Sequence, residues 1–213
     1  MDQHVWVSSA LNDVATLGLD VVVEYPCPQD KFEHTGVQLN QYGMPVPVEQ
    51  CPIKIVSDVD DQSQVRTSIE KGTPDLFLAK GHVIVSEKAA DIISQFDLGA
   101  GALYPVVDGV FHGDGTTKLA EDYFSLVFGN SKSAFLPDQT PEKDTFGGTG
   151  RIWNLPWTMS DDNIAVSNLA TDGADVWVDQ TLFKSFFLSG DLGDALDKAG
   201  LRKAFYLYRA RVC

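Results

Sequence analysis

One stretch of this sequence is written twice. VIVSEKAADIISQFD at residues 83–97 and FFLSGDLGDALDKAG at 186–200 align with Ser86 on Ser189, an offset of 103. At that offset Asp91 meets Asp194, Ile93 meets Leu196 and Leu98 meets Leu201. Ala89, Ile92, Ile93 and Phe96 recur at i, i+3, i+4 and i+7, as do Leu192, Ala195, Leu196 and Ala199. That spacing is the apolar stripe of an α-helix. It leaves Glu87, Lys88, Asp91, Ser94 and Gln95, then Asp191, Asp194, Asp197 and Lys198, for solvent. Each serine stands where its helix begins, so its side-chain oxygen can accept an orphan amide of the first turn. Gly200 supplies the left-handed residue that ends a helix, and Leu201 can fold back on the last turn. The triplets Val83–Val85 and Phe186–Leu188 read as buried strands. Both copies therefore spell strand, capped helix, strand. Neither serine has the glycines of a nucleophile elbow, and no histidine lies near the second copy, so both serines read as caps.

Around the repeat, HVWVSS, LDVVVEY and IKIVSDV are strand-like in their β-branched and aromatic content. ALNDVATLG reads as a short helix or a loop. Pro26, Pro28, Pro45, Pro47 and Pro52 confine regular structure between Tyr25 and Pro52 to short pieces or sheet edges. YFSLVFG, VWVDQTLF and the terminal AFYLYRARV add strands, and 137–150 reads as a mobile loop. The expected fold class is α+β: a single compact domain over 1–213 with two related strand–helix–strand units and additional N-terminal strands. Residues 1–70 form a β-rich part, and 75–213 hold both units. A chain of this length can bury roughly 70% of its unfolded surface, enough for one core without staples.

Little in the composition points to chemistry. Cys27, Cys51 and Cys213 form no CxxC pair, and His4, His34, His82 and His112 are too scattered for a zinc site. A Cys27–Cys51 disulfide is open on sequence grounds, although reduced thiols are the rule in a cytoplasmic chain. FGGTGR at 146–151 lacks the lysine and following helix of a P-loop. Asp58, Asp60 and Asp61 lack the glycine and distal glutamate of a calcium loop. HGDG at 112–115 reads as a hairpin loop. No metal and no cofactor are expected.

Acidic residues outnumber basic ones by 30 to 16, a formal charge of −14 at pH 7. A field of that sign repels nucleic acid and anionic lipid and attracts basic partners, although acidity for solubility alone is an alternative. MDQHVWVSSA has no basic n-region or apolar h-region, and no run approaches the ~18 apolar residues of a membrane span. A cytoplasmic protein is the expectation.

GHVIVSEKAADIISQFDLGAGALYPV and VWVDQTLFKSFFLSGDLGDALDKAGL resemble the immunity proteins of bacterial polymorphic toxin systems, specifically immunity family eleven, formerly known as a domain of unknown function. The resemblance covers residues 75–213. It implies a small cytoplasmic protein, not an enzyme, that binds and neutralises a cognate toxin. With the acidic charge, that toxin is expected to be basic. Two alternatives are an enzyme, such as a hydrolase with a loop-built site around His82 or His112, and a scaffold module without a toxin partner. In IWNLPWTMSDDN the large anchors Trp153 and Trp157, followed by Asp161 and Asp162, form a candidate partner-binding segment. The competing reading buries both indoles in the core.

Overall fold

The computed structural model describes residues 4–12, 21–57, 74–141, 143–145, 151–156 and 159–213. Asp58, Asp60 and Asp61, the glycines at 147, 148 and 150, and Trp157 lie outside the described residues. In chain order the elements are β1 (His4–Ser8), β2 (Val21–Glu24), α1 (Gly36–Gln41), β3 (Lys54–Ser57), β4 (Leu76–Ala79), β5 (His82–Ser86), α2 (Glu87–Ile93), β6 (Ala102–Pro105) and β7 (Gly109–Phe111). There follow β8 (Tyr123–Val127), β9 (Asp144–Thr145), β10 (Trp153–Asn154), β11 (Ile164–Val166), β12 (Val176–Trp177), β13 (Leu182–Phe183), β14 (Phe186–Ser189), α3 (Gly190–Lys198) and β15 (Leu207–Val212). The fold is α+β, with the strands in four sheets: β11-β15-β1-β14-β12, β4-β5-β8-β6, β2-β3-β7 and β13-β10-β9.

The two repeated units lie in different sheets but share one topology. In the first, β5 leads into α2 and then β6, and β8 runs antiparallel between β5 and β6. In the second, β14 leads into α3 and then β15, and β1 runs antiparallel between β14 and β15. The central strand follows its unit in one case and comes from the far end of the chain in the other. Each unit also carries an antiparallel outer strand, β4 on β5 and β12 on β14. The registers match across four strands. Phe77–Ile84–Ser125–Tyr104 crosses the first sheet where Trp177–Phe187–Val7–Tyr208 crosses the second. The next row pairs Leu76–Val85–Phe124–Pro105 with Val176–Leu188–Trp6–Arg209. Even the strand entrances agree: the Ser86 amide donates to Asp75 O at 3.0 Å, and the Ser189 amide to Asp175 O at 2.9 Å.

Both helices begin and end as their sequences require. The Ser86 and Ser189 hydroxyls each accept a first-turn amide at 3.3 Å, from Ala89 and Leu192. Gly200 has φ +79, and the buried Leu201 returns its amide to Leu196 O at 2.9 Å. The buried stripes are Ala89, Ala90 and Ile93 on α2, and Leu192, Gly193 and Leu196 on α3. Phe96 and Ala199, which the periodicity places in the same stripes, sit half-buried at the edge. The helices pack together, and Lys88 Nζ donates to Ala199 O at 2.9 Å, placing a cation at the negative end of α3.

One apolar cluster draws on both sheets and both helices, from Leu76, Val85 and Ile93 to Trp6, Leu188 and Leu196. The opposite faces are covered too. Phe77, Ile84 and Tyr123 pack with Val21, Ile55 and Val110 of the β2-β3-β7 sheet. Val5, Val7 and Phe187 pack with Phe135, Leu155 and Ile164. Burial on both faces explains why the repeat strands are continuous apolar runs rather than alternating ones. Asp194, expected to face solvent only, accepts from Trp6 Nε1 at 2.9 Å and lies 2.9 Å from His4 Nε2. A buried indole N–H needs an acceptor, and this carboxylate supplies one.

Candidate functional site

A cavity of about 410 Å³ lies at the seam between the two repeat units. Leu78, Gly81 and Val83 enter from the β4–β5 hairpin, and Val178 and Leu182 from the β12–β14 connection. Phe128, just past β8, and Leu11, just past β1, add further apolar wall. The helix α1 closes one side through Val37 and Asn40. Its position follows from two local devices. Thr35 and Gln38 form a reciprocal capping box that starts α1. At Gly81, φ is +92 and a Cβ would come within 2.8 Å of Val37 Cγ1, so only glycine lets the helix approach the turn this closely. Asn40 then ties α1 to the end of β8, donating to Leu126 O at 3.0 Å and accepting from Phe128 N at 2.7 Å.

The polar part of the lining is sparse. Gln180 Nε2 donates to Tyr42 O at 3.1 Å, and Ser185 Oγ to Phe183 O at 3.3 Å. Lys184, with φ +49, is the single lysine, arginine, histidine or carboxylate residue among the described residues of the lining. Its ammonium lies 5.3 Å from the Phe183 ring centre, and no described carboxylate pairs with it. Tyr42 at the rim is 56% exposed and Ile152 37%. The described lining is mostly apolar. Among the described residues it assembles no nucleophile, base and orienting acid.

The segment 153–162 divides between two places. Trp153, on β10, is half-buried against the cluster under the five-stranded sheet, with Lys143 Nζ 5.1 Å above its ring. Its neighbour Ile152, rather than Trp153, reaches the cavity. Trp157 lies outside the described residues. Asp161 accepts from Arg202 Nη2 at 2.7 Å, Arg209 N at 3.0 Å and Arg209 Nε at 3.3 Å. Partial burial pushes its carboxyl upward, but these hydrogen bonds and the Arg202 charge outweigh that and hold it below the usual range. The two guanidinium groups lie 5.0 and 5.9 Å from the Trp6 ring, so Asp161 helps hold them there. Asp162 is exposed, at φ +67, and donates its amide to Arg209 O at 2.8 Å. Of the four candidates, Asp162 alone offers an exposed carboxylate to a partner, and Asp161 is engaged within the fold.

The remaining ionisable groups are structural in their surroundings. His82 is buried, 3.2 Å from the Tyr25 hydroxyl, and burial lowers its pKa to about 4. The Cys51 thiol is pushed up to about 12, first by burial and then by Glu49. Cys27 and Cys51 are free thiols. Lys132 Nζ sits 3.6 Å from the Trp177 ring centre and donates to Ala170 O and Ala174 O. Burial pulls its amine down to about 8 against the opposing pull of Asp175 and Asp172. Asp179 is buried and accepts from the Ala134, Phe135 and Thr181 amides and the Thr181 hydroxyl, which pins the 134–135 segment to the β12 end. HGDG is a turn: Asp114 accepts from Thr117 and Thr116, whose hydrogen bonds hold its carboxyl at about 2. Among the described residues no cluster of three or more His, Cys, Asp or Glu is arranged to hold a metal ion, and no helix is long and apolar enough to cross a membrane.

The fold and cavity define a duplicated α+β architecture in which two strand–helix–strand units each enclose an antiparallel strand. Compared with protein-family models and with curated proteins, the chain matches none.

Proposed function

We propose that this chain is a non-enzymatic immunity protein that binds a basic, cytoplasm-acting toxin and keeps it from its substrate. The observation that carries the reading is where the negative charge sits. The chain has 30 acidic against 16 basic residues, and among the described residues Asp179 is the single buried acidic residue. The acidic excess of the described residues is therefore outside the buried core, where it would accelerate encounter with a basic partner. The sequence resemblance of residues 75–213 to immunity family eleven also motivates the reading. Asp162 belongs to that surface, and Trp153 and Trp157 are proposed as neighbouring anchors of the same segment. Asp161 contributes by holding Arg202 and Arg209.

The test is stopped-flow association with any toxin domain found encoded beside this gene, at several salt concentrations. Screening over a Debye length of about 8 Å at physiological ionic strength predicts an on-rate that falls steeply with salt and an off-rate that changes little. A salt-independent on-rate removes the electrostatic mechanism. Absence of binding at micromolar concentration removes the immunity assignment.

A further inference from the structure

The cavity at the seam of the two units is chemically unlike the rest of the molecule. In a chain of net charge −14, the described residues of its lining include no aspartate or glutamate and one lysine. Its walls are aliphatic and aromatic, and at about 410 Å³ it lies in the range of small-molecule sites. An apolar wall with one cation has a definite complement. A hydrocarbon gains by leaving water for Leu78, Val83, Phe128, Val178 and Leu182. A single anionic head completes the charge of Lys184, which no described carboxylate neutralises. A cationic amphiphile would set two like charges together, and a neutral one would offer the ammonium no opposite charge.

We propose that this cavity binds a small apolar monocarboxylate, its hydrocarbon body between the two hairpins and its carboxylate on Lys184. The site is preformed. Gly81 and the capping box of α1 set one wall, and the packed hairpins set the others. Binding here does not depend on the toxin reading, and either can fail alone.

Isothermal titration with decanoate, decanol and decyltrimethylammonium, each below its micellar concentration, tests the proposal on the full chain. Decanoate is expected to bind saturably at one site, with decanol roughly tenfold weaker and the ammonium compound weakest, since a charge-assisted hydrogen bond is worth about a factor of ten or more. Lys184→Gln should bring decanoate down to the affinity of decanol and leave decanol unchanged. Ile152→Trp adds bulk at the half-exposed rim, where it does not press on the core, and should weaken decanoate and decanol alike. Near-UV circular dichroism checks that both variants keep the native packing. Three results overturn the proposal: no saturable decanoate binding, equal affinity for decanoate and decanol, or decanoate binding unchanged in a natively packed Lys184→Gln or Ile152→Trp.

Discussion

Replacing His82 by phenylalanine and following stability with pH isolates the cost of a buried imidazole. His82 is 6% exposed, and its ring lies 5.6 Å from that of Tyr25. Removed from water, the imidazolium loses its hydration, so the pKa falls from 6.5 to about 4. The Tyr25 phenol is raised, chiefly by burial and then by Cys51, and stays neutral, so it offers the imidazolium no counter-charge. In the unfolded chain the histidine titrates near 6.5. Between pH 6.5 and 4 the unfolded state takes up a proton that the folded state refuses. The stability this group contributes is therefore full above pH 6.5 and drains as pH falls toward 4. The gap, at about 1.4 kcal/mol per pH unit, removes about 3 kcal/mol by pH 4. Urea unfolding of wild type and His82→Phe at pH 8 and pH 4 measures it, because carboxylates common to both proteins cancel in the comparison. The variant starts about 1 kcal/mol lower at pH 8, having lost the bond to Tyr25. Wild type should lose about 3 kcal/mol more than the variant on going to pH 4. Equal losses, within the error of extrapolation, would refute the burial argument.

The two helices provide three further tests by chemical denaturation. Leu196→Ala and Ile93→Ala, both at positions of zero exposure, should each cost about 2–5 kcal/mol through the cavity left behind. Asp194→Ala should cost about 1–3 kcal/mol although the side chain is half-exposed, because it strands the Trp6 indole N–H; Asp91→Ala, at the equivalent position, should be nearly silent. Gly193→Ala should destabilise despite a helix-propensity gain of about 1 kcal/mol, because the added Cβ would overlap the Trp6 ring.

What was legible in the sequence is what is local. Helical period, serine caps and the terminating glycine all act within a few residues, so both capped helices can be read directly, as can the strands that precede them. The partner of a strand leaves no such mark. Nothing around His4–Ser8 indicates that β1 inserts between β14 and β15, near the opposite end of the chain. That insertion puts Trp6 under α3 where Phe124 lies in the other unit, and it explains why position 193 is glycine while the equivalent position 90 is alanine. It also makes Asp194 an acceptor, which helical periodicity alone assigns to solvent. The candidate site divides for the same reason. Charge and aromatic content mark the 153–162 segment, but the engagement of Asp161 depends on Arg202 and Arg209, some 40 residues away or more in sequence. The described cavity lining is drawn from six separate stretches of chain, mostly ordinary apolar residues. A lysine without a nearby acid, Lys184, is the one signal of it, and a sequence does not show who its neighbours are.

Neutralisation by occupancy differs from neutralisation by catalysis in its stoichiometry, and one titration separates them. Toxin at fixed concentration, well above its dissociation constant, is mixed with increasing amounts of this protein, and residual toxin activity is measured at two incubation times. Immunity by binding predicts a linear fall to zero at a fixed whole-number ratio, the same at both times, with active toxin recovered on separation. Loss of toxin activity that deepens with time at amounts far below equivalence would contradict it, and so would toxin activity that does not fall at all.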